Sequence, residues 1–174
     1  MQLVVAALLA GFGSARASDV TQFNDLRKST LAKVPASELI VFNATTAKPK
    51  HVVHVFTDID CGDCRHFHEN IAQNSALGIE VRYLWYPLAG IDSESARKAK
   101  ALWCAVDRPL AMNAAMSGSD PGAKQCANPI AKQYELAQAF GVQGTPNAIA
   151  ADGSMINIGA PSQFLQTLDR LAMR

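Results

Sequence analysis

No run of like charges occurs anywhere in this sequence, and 16 basic residues against 15 acidic ones leave a formal net charge of +1. A chain so balanced offers no stripe that could track a nucleic-acid backbone or grip an anionic membrane, so no nucleic-acid partner is expected. Long apolar runs are missing as well. The stretch Val4 to Gly13 is apolar but falls well short of the ~20 residues that cross a bilayer. Internal repeats and low-complexity segments are absent. Charged residues make up only 18% of the chain against 49% hydrophobic, the balance of a globular protein, and 174 residues give room for one domain with one compact core.

The short apolar stretch has the length of a signal-peptide core, and Ala15-Arg16-Ala17 supplies a small-x-small cleavage signature before Ser18. Residues 1–17 are therefore expected to be a removed signal peptide and the mature protein to be exported. Met1-Gln2-Leu3 lacks the positive charge such a segment usually carries.

Cysteine is scarce: Cys61, Cys64, Cys104 and Cys126 are the only four. An even count in an exported chain suits disulfides. If Cys61 pairs with Cys64, Cys104 is left with Cys126, a bridge that would stabilise by roughly 3 kcal/mol in the chain-entropy model. Spacing alone does not fix that connectivity.

Along the chain, Asp19 to Val34 carries Val20, Phe23, Leu26 and Leu31 and ends before Pro35, which predicts a short amphipathic helix. Glu38 to Asn43 is a candidate short strand. His51 to Thr57 is β-branched and aromatic, bounded by Pro49 and the acidic turn Asp58-Ile59-Asp60, as a buried central strand would be. Arg65 to Asn74, with Phe67 and Ile71 spaced i, i+4, predicts a helix, and Ile79 to Tyr86 a second strand. Helices are predicted over Ser93 to Ala105, Pro109 to Met116 and Ile130 to Phe140, the last with Tyr134, Leu136 and Ala137 toward the core and Gly141 as its C-cap, and a loop over Ser117 to Pro129. Asn147 to Ala151 and Ser154 to Ile158 flank Asp152-Gly153 as a hairpin with a tight turn, and Pro161 to Met173 forms a last helix with Phe164, Leu165, Leu168 and Leu171 on one stripe. The predicted order is β, α, β, inserted helices, β, β, α.

Cys61-Gly62-Asp63-Cys64 falls where the central strand gives way to a helix. That junction sets the first sulfur beside the unpaired N–H groups and positive end of the helix, where a thiolate is favoured over a thiol. Such a sulfur attacks a disulfide or leaves from a mixed one, so the motif can oxidise, reduce or isomerise. Cys61 is the expected attacking sulfur and Cys64 the resolving one. Asp60 and Asp63 flank the pair and oppose ionisation of Cys61, which favours reducing behaviour, while Arg65, His66 and His68 pull the other way; His68 is read at least as readily as part of a solvated surface. Zinc or copper held by Cys61, Cys64, His66 and His68 is the competing chemistry, disfavoured because all four ligands crowd into eight positions instead of forming two separated pairs. No metal and no cofactor is assigned.

The stretch from His51 through Cys64, with Leu77-Gly-Ile-Glu-Val-Arg-Tyr-Leu, Lys100-Ala-Leu-Trp-Cys and Gly141-Val-Gln-Gly-Thr-Pro, resembles the catalytic domain of the periplasmic DsbC/DsbG disulfide isomerases from about Glu38 to the C-terminus. The resemblance implies an α/β, thioredoxin-like fold with a helical insertion between the βαβ unit and the C-terminal ββα unit. It implies Cys61 and Cys64 as the catalytic pair, Thr145 and Pro146 as a facing cis-proline loop that binds substrate, and Cys104 with Cys126 as a structural disulfide. It also implies a periplasmic location, cysteine-containing exported proteins as clients and a membrane thiol reductant of the DsbD type as electron donor.

The expected organisation is a signal peptide over 1–17, a linker helix and connection over 18–50, and the catalytic domain over 51–174. Family members are V-shaped homodimers built on an N-terminal dimerisation domain, for which residues 18–50 leave little room, so a monomer is expected, with a dimer not excluded. Asp63 stands where the family more often has an aromatic residue, so the potential of the couple does not carry over. An acid found on the strand of thioredoxins before the first cysteine is replaced here by Val55. A monomeric oxidase or reductase is the alternative within this chemistry, and a non-catalytic chaperone or metal-handling module the alternative outside it.

Overall fold

The computed structural model describes residues 17–173. Of the expected signal peptide over 1–17, residues 1–16 lie outside the described residues. Strands β1 (Ile40–Phe42), β2 (His51–Thr57), β3 (Ile79–Trp85), β4 (Asn147–Ile149) and β5 (Met155–Ile156) form one sheet in the order β1-β3-β2-β4-β5. Only β2 and β3 run parallel, with Val55 opposite Tyr83 and Thr57 opposite Trp85; the remaining pairs are antiparallel. Parallel neighbours require a crossover, and the helices α2 (Gly62–Glu69) and α3 (Ile71–Ala76) supply it.

Alternation along β2 and β3 sends side chains to two cores. Val53, Val55, Val81 and Tyr83 meet Phe67, Leu102, Met112, Phe164 and Leu168 on one face. On the other, Phe56 and Leu84 meet Leu31, Ala137, Phe140 and Val142. The first face is thus covered by α2, α4 (Glu94–Trp103), α5 (Arg108–Met116) and α7 (Pro161–Ala172), and the second by α6 (Ile130–Ala139) and the end of α1 (Ala17–Leu31). Helices α4, α5 and α6 lie between the βαβ unit and the ββα unit in sequence, as the predicted order required.

Several expectations need correction. The helix after the cysteine motif starts three residues earlier than predicted, at Gly62, because Cys61 itself caps it, and it breaks at Asn70 (φ −95°, ψ 11°) before resuming as α3. The hairpin turn is not the tight Asp-Gly pair. Ala150 N–H reaches Ser154 O and Gly153 N–H reaches Ala150 O, a three-residue loop in which Gly153 takes the left-handed conformation at φ 87°. Helix α1 starts two residues before and ends three residues before the predicted Asp19–Val34 element, and Val20, Phe23 and Leu26 are exposed. Of the apolar pattern read there, Leu31 alone is buried. Polar contacts hold the helix instead: Asn24 Nδ2 donates to Ser154 Oγ at 3.1 Å and the Arg27 guanidinium to Phe140 O at 3.1 and 3.2 Å.

Candidate redox site

Cys61 is the N-cap of α2, with extended backbone angles (φ −78°, ψ 122°), and its sulfur accepts from Cys64 N–H at 3.3 Å. The atom that usually caps a helix is a side-chain oxygen; here the Cys61 sulfur takes that place, beside the unpaired N–H groups of the first turn. On its other side the Cys61 thiol donates to Thr145 O at 3.3 Å. The Thr145–Pro146 peptide bond is cis. The helix cap and the cis-proline loop are therefore brought together across 84 positions of sequence.

The two sulfurs differ in access. Cys61 is half-buried and Cys64 fully buried, and neither is in a disulfide. Burial pushes the Cys64 thiol up to about 12; the Thr145 and Thr57 hydroxyls and the Asp58 N–H act in the opposite direction. Both hydroxyls are buried and without a hydrogen-bond partner, so they are free to donate to a Cys64 anion. One sulfur can be reached by a large disulfide and the other can act only from within, toward Cys61.

The acidic turn ahead of the motif is a clamp. Asp58, almost completely buried, accepts from Asp60 N–H at 2.9 Å, from Leu88 N–H at 2.7 Å and from the Ser95 hydroxyl. Asp60 binds Lys98 Nζ through both oxygens, at 2.8 and 3.1 Å, and Arg65 Nη2 at 3.3 Å. Arg65 Nε also donates to Ile59 O at 3.0 Å. The sequence reading set Arg65 against Asp60 but missed Ser95 and Lys98, which no local signal points to.

The two histidines part company. His66 is exposed, 3.2 Å from Glu69. His68 is buried, so it is not part of a solvated surface. Its Nδ1 lies 3.0 Å from Tyr83 Oη and its Nε2 2.8 Å from Asn113 Oδ1. The amide oxygen can only accept, so Nε2 carries the proton and Tyr83 donates to Nδ1. Burial lowers the pKa of His68, with Asn113 working against it. Both ring nitrogens are thus occupied, and among the described residues no three His, Cys, Asp or Glu side chains converge as metal ligands.

A groove of about 520 Å³ runs alongside, bordered by Asp63 and His66 on α2, by Phe67, by Pro146, and by Ile156 and Ile158 beyond β5. Cys104 and Cys126 are bonded, with S–S 2.07 Å, and Cys104 is the C-cap of α4. No helix among the described residues is long and apolar enough to cross a membrane.

Residues 41–172 match the family described as a thioredoxin-like domain. Among curated relatives, the thiol:disulfide interchange protein DsbC of Dickeya dadantii is 41% identical over 133 residues, which are 76% of this chain and 55% of that protein. DsbC of Escherichia coli strain K12 is 40% identical over 133 residues, 76% of this chain and 56% of that protein. The chain thus spans about half the length of the curated relatives it matches. Among solved structures, the disulfide interchange protein from Neisseria gonorrhoeae superposes with a TM-score of 0.67 at 29% identity, covering 79% of this chain and 97% of that one. The catalytic domain of Proteus mirabilis ScsC superposes with a TM-score of 0.63 at 17% identity, over 88% of this chain and 99% of that one, a likeness of fold. The α/β, thioredoxin-like architecture with its helical insertion follows from these matches.

Proposed function

The chain belongs to the family of thioredoxin-like domains, and from that premise we propose that it exchanges disulfides in exported proteins through Cys61 and Cys64, as an isomerase-like thiol-disulfide oxidoreductase. The observation that carries this reading is the asymmetry of the pair: a half-buried sulfur at a helix N-cap beside a fully buried one. The kinship with DsbC proteins supports it.

The Cys61 thiolate attacks one sulfur of a client disulfide. A bond forms between Cys61 and that sulfur, the client's S–S bond breaks, and the second client sulfur leaves as a thiolate and takes up a proton. Two exits follow. If a client thiolate attacks the mixed disulfide, a rearranged client disulfide forms and Cys61 is released reduced, which is isomerisation. If Cys64 attacks Cys61 instead, the client leaves with both thiols and Cys61–Cys64 becomes a disulfide, which is reduction. The reverse of the second exit is oxidation. In the groove, Phe67, Ile156 and Ile158 offer apolar contact and Pro146 a strand-like edge for the client segment around its cysteine. The proposed clients are cysteine-containing exported proteins in the periplasm, and the proposed electron donor is a membrane thiol reductant of the DsbD type.

Refolding of a protein with scrambled disulfides tests the reading, with the mass of the enzyme in solution recorded on the same sample. Catalysed recovery that disappears in Cys61→Ala supports it. Recovery that survives Cys61→Ala and Cys64→Ala together makes the chain a chaperone-like module. Net reduction or oxidation without recovery, by a monomer, makes it a one-directional reductase or oxidase.

A further inference from the structure

The acidic residue immediately before Cys61 carries a charge that should count against a thiolate there, and two features of α4 answer it. Lys98 lies 38 positions away in sequence, yet its Nζ binds both oxygens of Asp60. One turn earlier on the same helix, Ser95 donates to Asp58, whose carboxylate in turn holds Asp60 N–H. Lys98 is also the better buried partner, with only 23% of its side chain exposed against 35% for Asp60. A pair that is partly withdrawn from solvent is screened less than one on an open surface.

We propose that Lys98 is a positioning residue for the Cys61–Cys64 couple: by neutralising Asp60 it keeps a negative charge from acting on the Cys61 thiolate, and so holds the couple more oxidising than its acidic flanks alone would allow. The inference rests on the redox reading of Cys61 and Cys64. Arg65 bears on Asp60 at the longer distance of 3.3 Å and from the helix that Cys61 caps, where it also holds Ile59 O, so replacing it would disturb the turn as well as the charge. Lys98 comes from the inserted helix. That helix therefore grips the turn before the nucleophile at Asp58 and Asp60, and its far end is fixed by the Cys104–Cys126 bond.

The test is the equilibrium with glutathione, in which the protein dithiol passes two electrons to glutathione disulfide, giving the Cys61–Cys64 disulfide and two molecules of glutathione. Lys98→Met leaves Asp60 with Arg65 alone. Its uncompensated charge disfavours the reduced form, and the equilibrium constant for oxidation of the protein rises about three- to tenfold, the size expected for one nearby unit charge at an effective dielectric between protein and water. The change shrinks at high salt, because the Debye length falls to about 3 Å at 1 M. Lys98→Arg restores the original value, and Lys98→Met has no effect when made on an Asp60→Asn background. A Lys98→Met constant equal to that of the unaltered protein overturns the proposal. So does a shift of the same size with Asn at position 60, since the effect of Lys98 would then not run through Asp60. If the unaltered protein fails to exchange with glutathione at all, the redox reading itself falls, a separate result.

Discussion

The sulfur of Cys61 lies 3.3 Å from the carbonyl oxygen of Thr145, and the side chain of the same threonine bears on the other cysteine. One residue of the cis-proline loop thus bears on both halves of the couple, through its backbone carbonyl on Cys61 and through a buried, unpartnered hydroxyl that favours the Cys64 anion. Thr57, at the end of β2, contributes a second hydroxyl to Cys64.

Those two hydroxyls should matter for the second chemical step. A buried thiol pushed up to about 12 is deprotonated in only about one molecule in 10⁵ at pH 7, so each donor that stabilises the anion bears on the rate. Thr57→Val is expected to slow the release of a client or glutathione from Cys61 by about five- to tenfold, taking about 1 kcal/mol or slightly more per hydrogen bond. Formation of the mixed disulfide should be nearly unchanged. Stopped-flow measurement of the two steps separates them, and equal slowing of both would refute this role.

Stability should fall in mild acid through His54. It is largely buried in β2 opposite Arg82, with Nε2 unpartnered. Burial, with a smaller contribution from Arg82, lowers its pKa from 6.5 to about 4. The native histidine is therefore neutral where the unfolded chain's begins to bind a proton. The sign follows: no effect above about pH 6.5, a progressive loss of stability as pH falls from there toward 4, and a levelling below, amounting to about 3 kcal/mol in all. Urea midpoints across that range should drop more steeply in the unaltered protein than in His54→Gln. Parallel curves would show that other groups account for the whole drop.

Gly153 should tolerate no side chain. Its φ is 87°, and a Cβ there would stand 1.9 Å from Asn24 O. Left-handed backbone alone costs roughly 1–2 kcal/mol in an L-residue, and the contact with α1 adds to it. Gly153→Ala is expected to lower the melting temperature and to free α1 to proteolysis, because α1 is held at this hairpin and by Arg27. Unchanged protection of α1 would contradict this account of its anchoring.

The parts of the molecule written locally were legible in the sequence. Strand β2 was read to the residue, since a β-branched run bounded by Pro49 and an acidic turn admits little else. The apolar stripe of α7 was equally plain, with Phe164 and Leu168 buried. Other readings failed for physical reasons. A cysteine is not an ordinary N-cap, so the start of α2 was placed too late. His68 follows Cys64 by four positions and so shares its helical face, a signal of burial that the reading of His68 as part of a solvated surface leaves unused. The spacing in α1 suggests an inward apolar face, but of that pattern Leu31 alone is buried, and the helix is otherwise held by polar contacts with residues more than a hundred positions away. Ser95 and Lys98 could not be found at all from local pattern, because what defines them is the turn they meet.

The central claim is that Cys61 attacks and Cys64 resolves, and trapping tests it most directly. The Cys64→Ala protein should be incubated with glutathione disulfide and its intact mass and adduct position determined, beside Cys61→Ala treated in the same way. The account predicts that Cys64→Ala accumulates one glutathione, bound at Cys61, while Cys61→Ala stays unmodified at its buried Cys64. Rapid adduct formation at Cys64 in Cys61→Ala, or none at Cys61 in Cys64→Ala, would contradict it.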